Sequence, residues 1–375
     1  MKVFFNALVV HLVLNVYVYI CGRQLLPPKK SYRMPYTAFF IVELLIYLIG
    51  LIGNVNLPHE LLKPILLIGT SWMVLIGYLT ALLLIFDGVK WLGRWNRKIK
   101  QWQMERLSLR RSYFILSLVV VVSAMCYGNY RFYHPIINEY TLQVDKKAGD
   151  LDSLRVVMVA DVHTGYLIDK KILNMYVDRI MEQKPDIILL VGDIIDYDLA
   201  PLQEQHMEEE FRRLKAPYGV YVSTGNHEYR LNAEEKIKWL GEQTGMTLLR
   251  DKAVKIDDKF YVVGREDDHA LNRKKLSEVM SNVDKSYPVI VMNHEPKDLS
   301  EESNEKADVA VYGHTHNGQL FPYNILINLI YEVGHGYKKK DNTHVYVTSG
   351  LGLAGPQYRI GTISEIVVLN LKFQK

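Results

Sequence analysis

Cysteine is almost missing from this sequence. Of 375 residues only two are cysteine, Cys21 and Cys126, and both lie in long apolar stretches. The rest of the chain therefore has no disulfide and no thiolate chemistry. This excludes a disulfide-stapled domain and a cysteine nucleophile there, but it says nothing about the compartment.

Acidic residues are scarce in the first part of the chain. Residues 1–135 carry 4 Asp and Glu against 15 Lys and Arg, whereas residues 136–375 carry 37 against 30. The length allows two domains, and we predict a transmembrane region over 1–135 and a second domain over 150–375. Because the second domain is mildly acidic and lacks a basic groove for phosphates, we expect no nucleic-acid partner.

Four long apolar stretches precede residue 135, and each approaches the roughly 20 residues that a membrane-spanning helix needs. The first has an alternative reading as a signal peptide. We favour a retained helix. A lipoprotein cleavage site needs a small residue before the cysteine, and the residue before Cys21 is Ile20. The four transmembrane helices are predicted near residues 3–20, 37–52, 61–86 and 113–130.

The loops between these stretches predict the orientation. With four spans, the loop after the first and the loop before the fourth share a side, and together they carry twelve Lys and Arg. The short loop over residues 54–60 carries none. Since basic loops stay in the cytoplasm, we predict an integral multi-pass cell-membrane protein with its second domain outside the cytoplasm.

Glu43 lies inside the second predicted span. A carboxyl group there is costly and marks a functional site by default. The alternative is a neutral carboxyl or one bonded to a neighbouring helix. We favour the alternative, because no basic partner is visible within the membrane segments.

After residue 150, short apolar strands alternate with amphipathic helices, as is typical of sheet proteins with α/β or α+β architecture. In such folds, sites form where strands end. Strands are predicted at 155–160, 186–191, 219–223, 260–263, 288–292, 307–312, 344–348 and 365–371, and helices at 170–183, 202–215, 233–244 and 271–281.

One strand end carries two histidines. Gly313-His314-Thr315-His316 follows the predicted strand over 307–312. In an extended backbone, residues i and i+2 face the same side, so we expect both imidazoles to point into one site. Gly313 lets the backbone turn closely there.

Four other predicted strands also end in oxygen or imidazole donors. Each motif alone is equally consistent with a turn or a helix cap. Their repetition at strand ends favours one shared site. The motifs are Asp161-Val162-His163, Gly192-Asp193-Ile194-Ile195-Asp196, Gly225-Asn226-His227-Glu228 and Asn293-His294-Glu295.

Mixed carboxylate, amide and imidazole donors suit borderline divalent metals such as Mn, Fe or Zn. Seven such donors are too many for one ion, so we expect two ions that share a bridging carboxylate. Two ions a few ångströms apart stabilise both the attacking and the leaving oxygen of an in-line displacement.

The ordered set DxH, GDxxD, GNHE, H, GHxH resembles the calcineurin-like metallophosphoesterase superfamily over roughly residues 150–375. Further motifs resemble its YkuE-like membrane-associated branch: Gly313–Leu320 followed by Pro322, then Ser349-Gly350-Leu351-Gly352 and Arg359. Asn317 departs from the glycine usual in that branch, which leaves substrate details open.

The resemblance implies a fold and a set of roles. The fold is α+β, a four-layer α-β-β-α sandwich, here preceded by an all-α membrane region of about four helices. Asp193 would bridge the two metals, and His227 would protonate the leaving group or steady the transition state. Glu228 would orient His227, and Asp196 would be a supporting partner. The first metal would be held by Asp161, His163 and His316, and the second by Asn226, His294 and His314.

The expected function is therefore a membrane-anchored, dinuclear-metal-dependent phosphoesterase. It would hydrolyse phosphate mono- or diesters, among them those of a lipid or lipid-linked substrate, by attack of a metal-bridging hydroxide. Two alternatives stay open: a phosphodiesterase acting on nucleotides, and a non-catalytic metal-binding membrane sensor.

The segment Gln319–Tyr331 is unusually apolar for a loop beside such a site. We favour a buried hairpin or helix. The alternative is a flap that lies on the membrane or holds acyl chains.

Overall fold

The computed structural model describes residues 2–52, 57–96 and 106–375. It divides into two units, Met1–Asn129 with Gly355–Gln357, and Tyr130–Ala354 with Tyr358–Lys375. Two parts of the orientation prediction lie outside the described residues: positions 54–56 of the uncharged loop, and the basic residues Arg97, Lys98 and Lys100.

The first unit is helical. Four of its helices are long and apolar enough to cross a membrane, which confirms the four predicted helices as helices. Their apolar side chains remain largely exposed, as expected for surfaces that face lipid rather than water. They are α1 (Lys2–Leu25), α2 (Lys30–Ile52), α3 (His59–Leu92) and α4 (Leu107–Tyr133).

Glu43 is buried on α2 and has a partner on the neighbouring helix. Its carboxylate lies 3.2 Å from Nε2 of His11 on α1. The His11 ring stacks on Tyr47 with 3.7 Å between ring centroids. The expectation of a bond to a neighbouring helix is confirmed, whereas the statement that no basic partner exists is wrong. His11 is that partner, 32 residues away in sequence.

The second unit contains two six-stranded sheets, in the orders β1-β12-β2-β3-β4-β5 and β10-β11-β9-β8-β7-β6. All eight predicted strands are present. The four that sequence analysis missed, β1, β5, β6 and β10, are the four sheet edges, where less burial requires fewer apolar residues. The strands are Ile136–Gln143 (β1), Ser153–Val159 (β2), Ile187–Val191 (β3), Val220–Ser223 (β4), Thr247–Leu248 (β5), Lys252–Ile256 (β6), Phe260–Gly264 (β7), Val289–Met292 (β8), Val309–Tyr312 (β9), Gly336–Lys340 (β10), Thr343–Val347 (β11) and Glu365–Lys372 (β12).

Two of the four helices predicted for this unit differ in the structure, and the short helix Ser300–Asn304 was not predicted. The helix expected over 202–215 is broken, because His206 adopts a left-handed φ of 50°. The helix expected over 271–281 shrinks to four residues, because Lys275 is still extended. The helices are Lys170–Met181 (α5), Ala200–Glu204 (α6), Glu208–Phe211 (α7), Ala233–Gln243 (α8), Leu276–Val279 (α9), Ser300–Asn304 (α10) and Tyr323–Ile330 (α11).

The layers follow from where the apolar residues of each strand point. Alternate residues of the central strands fill a core between the two sheets, as Val156, Leu189 and Ile290 do. The other faces pack against helices, α5 and α8 on the first sheet and α9 on the second. This confirms the predicted four-layer α-β-β-α sandwich.

Strand direction places the motifs together. In the first sheet β2, β3 and β4 are parallel neighbours, and in the second β7, β8 and β9 are parallel neighbours. Parallel strands end at the same edge of a sheet. The turns that follow β2, β3, β4, β8 and β9 carry the five predicted motifs.

Candidate metal centre

Five of the seven predicted ligands have a left-handed backbone. The φ angles are 54° at Asp161, 51° at His163, 53° at Asp193, 69° at His314 and 50° at His316. Such angles are uncommon outside glycine, cost free energy and cluster at functional sites. The backbone at His314 and His316 is therefore not extended, as the prediction assumed, because both residues lie in a turn beyond β9.

The turn after β9 passes very close to the turn after β2. A Cβ atom on Gly313 would lie 2.5 Å from Oδ2 of Asp161 and 2.6 Å from Cβ of Ala160. Only glycine fits this approach, as the sequence indicated. The backbone N–H of His314 then donates to the Asp161 carboxylate at 3.0 Å, which joins the two turns.

The donors gather into three overlapping groups. Within each group, the ligand atoms all lie within 4.8 Å of one another. Asp193 belongs to two of the groups, and His163 also belongs to two. His314 and His316 belong to different groups. Among the described residues the groups are Asp161-His163-His316, His163-Asp193-His227 and Asp193-His294-His314.

The seventh predicted ligand, Asn226, is buried at the edge of the third group. Its side-chain oxygen lies 2.8 Å from Nδ1 of His314. The structure thus brings all seven predicted donors to one place, although they come from five separate turns.

The orientation of His294 fits a cation. Its Nδ1–H donates to the carbonyl of Val191 at 2.8 Å. Its other nitrogen, Nε2, faces Oδ2 of Asp193 at 3.2 Å. A neutral ring would then turn a lone pair towards a carboxylate in a buried place, which is unfavourable unless a proton or a metal ion lies between them.

His163 and His316 also turn ring nitrogens towards a buried carboxylate. Nε2 of His163 lies 3.1 Å from Nε2 of His316, and Nε2 of His316 lies 3.4 Å from Oδ1 of Asp161. Two imidazoles and a carboxylate converge on one small, largely buried place. These residues fit a divalent metal ion.

The two carboxylates of the centre are electrostatically different. Burial raises the pKa of Asp161 to about 6. Burial acts on Asp193 in the same direction, but the charges of His294, His163 and His227 hold its pKa well below the usual range. Asp193 is therefore the carboxylate that stays ionised most readily.

His227 is held by Asp196. Nδ1 of His227 lies 2.9 Å from the carbonyl and 3.0 Å from Oδ1 of Asp196. The same carboxylate oxygen lies 3.3 Å from Nδ1 of His163. With Nδ1 engaged, Nε2 of His227 faces the centre, 4.0 Å from Oδ2 of Asp193.

Glu228 does not orient His227 in the structure, contrary to expectation. Its buried carboxylate accepts four backbone N–H groups, at 2.7–2.9 Å, from the turns after β3 and β4. Three of these N–H groups belong to Asp193, Ile194 and Ile195, and the fourth belongs to Gly225. Glu228 therefore holds the backbone that carries Asp193, and the contact to His227 comes from Asp196.

Sequence analysis missed Lys236, which lies on α8 and is fully buried. Its ammonium donates to the carbonyl of His227 and to that of Tyr197 at 3.4 Å. A signal existed: Trp239 and Leu240, three and four residues on, mark this face of α8 as the core-facing one. A lysine on such a face is rare without a partner.

Arg359 was noted only as part of a motif, yet it supports the centre. It is fully buried and donates to the carbonyls of His316 at 3.1 Å and Gly350 at 3.0 Å. It also donates to the carbonyl of Gly352. The guanidinium therefore joins the turn that carries His316 to the Ser349–Gly352 turn.

Glu295, which directly follows His294, was noted only as part of a motif. Its Oε1 lies 3.5 Å from Nε2 of His314 and accepts a hydrogen bond from the Tyr331 hydroxyl at 3.1 Å. It connects the centre to the segment Gln319–Tyr331. That segment forms the helix α11, as one reading expected, but the helix is exposed rather than buried.

Comparison with known proteins agrees with this geometry. Residues 154–318 match the family described as calcineurin-like phosphoesterase. An uncharacterized metallophosphoesterase of Campylobacter jejuni is 26% identical over 387 residues, an alignment that covers 99% of this chain and 98% of the relative.

Two further relatives bear on the branch of the family. A transmembrane protein with metallophosphoesterase domain from Danio rerio is 26% identical and covers 94% of this chain and 84% of its own. The metallophosphoesterase YkuE of Bacillus subtilis is 27% identical over 66% of this chain and 90% of its own, which confirms the expected resemblance. Residues 154–318 therefore carry a calcineurin-like phosphoesterase domain, and proteins of that family are phosphoesterase hydrolases.

Proposed function

We propose that this protein is a membrane-anchored phosphoesterase that uses two divalent metal ions, with Mn, Fe or Zn as the expected elements. The observation that carries the proposal is the convergence of the seven predicted donors, Asp193 among them, with ring nitrogens and carboxylates facing one another in a buried place. Such an arrangement is stable only when positive charge lies between the donors.

The three donor groups support the assignment of ligands. Asp193 is the carboxylate that takes part both in a group with His163 and in the group with His294 and His314, which supports its assignment as the bridging residue. The first metal is assigned to Asp161, His163 and His316, and the second to Asn226, His294 and His314.

When bound, two such ions supply a nucleophilic hydroxide near neutral pH and neutralise phosphate charge. The chain's own residues do the rest. Asp196 fixes the ring of His227 so that Nε2 faces the site, where it donates a proton to the leaving oxygen or binds the phosphoryl oxygens. Glu228 fixes the backbone beneath Asp193.

The rest of the chain supports a class of substrate. Four helices able to cross a membrane keep the catalytic unit near lipid, which favours phosphate mono- or diesters of lipids or lipid-linked precursors. The basic loops favour a catalytic unit outside the cytoplasm.

The test is hydrolysis of paired water-soluble chromogenic phosphate mono- and diesters by the purified full chain. It is run with Mn²⁺ and then with chelator, beside His227→Ala, Asp193→Asn and the control His206→Ala. His206 is an exposed histidine, so its loss matches the chemistry of the first variant without touching the site.

We expect chelator-sensitive turnover that falls at least about 100-fold in His227→Ala and Asp193→Asn and is retained in His206→Ala. Bound metal should fall in Asp193→Asn but remain in His227→Ala. Tight metal binding without turnover of any ester would favour the non-catalytic sensor. Turnover that survives chelation would refute the two-metal assignment.

A further inference from the structure

The helix α11 presents an apolar face to the outside. Leu329 is 77% exposed and Ile330 is 71% exposed. Tyr323, Ile325 and Leu326 are at least half exposed. Exposed large apolar residues are scattered elsewhere on this unit, but here several are contiguous, and such a patch marks an interaction site.

One side of the helix faces the unit: Asn324 and Ile327 are half-buried, whereas the other residues of the helix are exposed. A Cβ atom on Gly334 would lie 2.7 Å from the side-chain oxygen of Asn328 and 2.8 Å from Ile327. A Cβ atom on Gly318 would lie 2.5 Å from the Tyr323 backbone. Because these two residues are glycines, the helix can pack closely against them, with Asn328 and Ile327 against Gly334. By helical periodicity, Leu329 and the other exposed aliphatic residues lie on the opposite face.

Both ends of α11 are fixed to the metal centre. At its start, the turn His316–Gly318 leads into the helix. At its end, the Tyr331 ring lies edge-on to the His314 ring, with 6.3 Å between ring centroids. The Thr315 hydroxyl donates to the carbonyl of Gly334 at 2.7 Å. Whatever covers α11 therefore lies beside the metal ligands.

We propose that the outward face of α11 inserts into the headgroup–acyl boundary of a lipid bilayer. This inference rests on the membrane anchoring contained in the proposed function. Short helices with an aliphatic face and aromatic residues at the edge, such as Tyr323 and Phe321, are suited to this boundary.

Connectivity favours lipid over a protein partner. Only two residues separate the end of α4 at Tyr133 from the start of β1 at Ile136, so the catalytic unit cannot diffuse away from the bilayer that holds α4. Charge makes a smaller contribution. Three lysines follow α11 in the chain, Lys338, Lys339 and Lys340 on β10. Glu332 pairs with Lys338 and Lys340, and Lys339 is exposed.

The test places a fluorophore on the helix in the full chain. Cys21 and Cys126 are replaced by serine, and a single cysteine is introduced as Leu329→Cys. The matched control is Leu271→Cys, since Leu271 is a fully exposed leucine of the same unit. Each protein is labelled with an environment-sensitive dye and reconstituted in vesicles of phosphatidylcholine and phosphatidylglycerol.

Quenching is then measured with spin-labelled lipid and with aqueous iodide. We expect the dye at 329 to be quenched by the lipid probe and shielded from iodide, and the dye at 271 to behave in the opposite way. A dye at 329 that iodide quenches as well as the dye at 271 would overturn the proposal. So would shielding from both quenchers, which would show that a second copy or another protein covers α11.

Failure of this inference can be told apart from failure of the proposed function. The same preparations are assayed for Mn²⁺-dependent hydrolysis of the soluble esters. Hydrolysis without lipid quenching refutes the docking of α11 alone, and lipid quenching without hydrolysis refutes the enzymatic proposal alone.

Discussion

Lys236 places a positive charge inside the protein, directly behind a residue proposed to act in catalysis. Burial lowers the pKa of Lys236, and the carboxylates of Glu228, Asp196 and Asp193 partly offset that effect. Its bond to the carbonyl of His227 holds the backbone of that residue. Lys236 touches no predicted metal ligand in the structure, so its role is to position His227.

We therefore expect Lys236→Met to lower kcat by roughly 10- to 100-fold, because small displacements of a catalytic group are costly. Bound metal should stay at the parent level. The control is Lys238→Met, since Lys238 is on the same helix but 71% exposed. Steady-state kinetics and metal analysis of both variants check this. A loss of metal that parallels the loss of rate would argue against positioning of His227.

The donors at the strand ends were predictable, because their residue types and their positions after apolar strands are local features. The role of Glu228 was not. Its four N–H partners lie up to 35 residues away in the sequence. Only the packing of two turns brings these N–H groups to the Glu228 carboxylate, which therefore bonds to them and not to His227. The left-handed backbone of Asp193 is likewise a product of that packing.

Among the strands, Glu365 connects the two sheets. It begins β12 in the first sheet, and its carboxylate accepts hydrogen bonds from Thr348 at 2.8 Å and Ser349 at 2.7 Å, beyond β11 of the second sheet. His335 lies 3.0 Å away. Burial alone would raise the pKa of Glu365, but His335 and these donors lower it from 4.5 to about 2.

A depressed folded-state pKa stabilises the protein above the unfolded-state value and ceases to do so below the folded-state value. Glu365→Gln should therefore lower the free energy of unfolding at pH 7 by roughly 1–3 kcal/mol. The difference from the parent should narrow as the pH falls from 4.5 towards 2.

Denaturant unfolding of both proteins at a series of pH values checks this. Glu139→Gln is the control, because Glu139 on β1 is exposed and its ion pair with Arg155 lies at the surface, so its loss should lower the free energy of unfolding by at most about 1 kcal/mol. A deficit in Glu365→Gln that is constant from pH 7 to pH 2 would show that ionisation of Glu365 does not stabilise the fold.

The element that prediction handled least well is α11. Its composition indicated burial, and the segment is indeed helical, yet its aliphatic face points outward. The hydrophobic pattern of eight residues shows that the helix has two unlike sides, but not which of them faces the protein. Packing decides that, since the helix approaches Gly334 closely with the side that carries Ile327 and Asn328, and its first turn approaches Gly318.

For the protein as a whole, the basic loops predict a catalytic unit outside the cytoplasm. A reporter that folds only outside the cytoplasm should be active when fused after Lys375 and inactive when fused to a chain ending at Trp95, beside the basic loop. Whole-cell reporter assays measure both. Activity of a cytoplasm-only reporter after Lys375 would reverse the orientation.

Some features of this protein depend on neighbouring residues in the sequence, and others depend on how distant residues pack together. Apolar stretches of membrane-spanning length, alternating strands and metal-type donors are properties of neighbouring residues, so the order of residues was enough to predict a helical membrane region, a sheet protein and a set of metal-type donors. The four-layer sandwich was implied by the resemblance of the motifs to a known family. Contacts between distant residues depend on how strands and turns pack together. The pairing of Glu43 with His11, the burial of Lys236 and the outward face of α11 were therefore decided only in the folded protein.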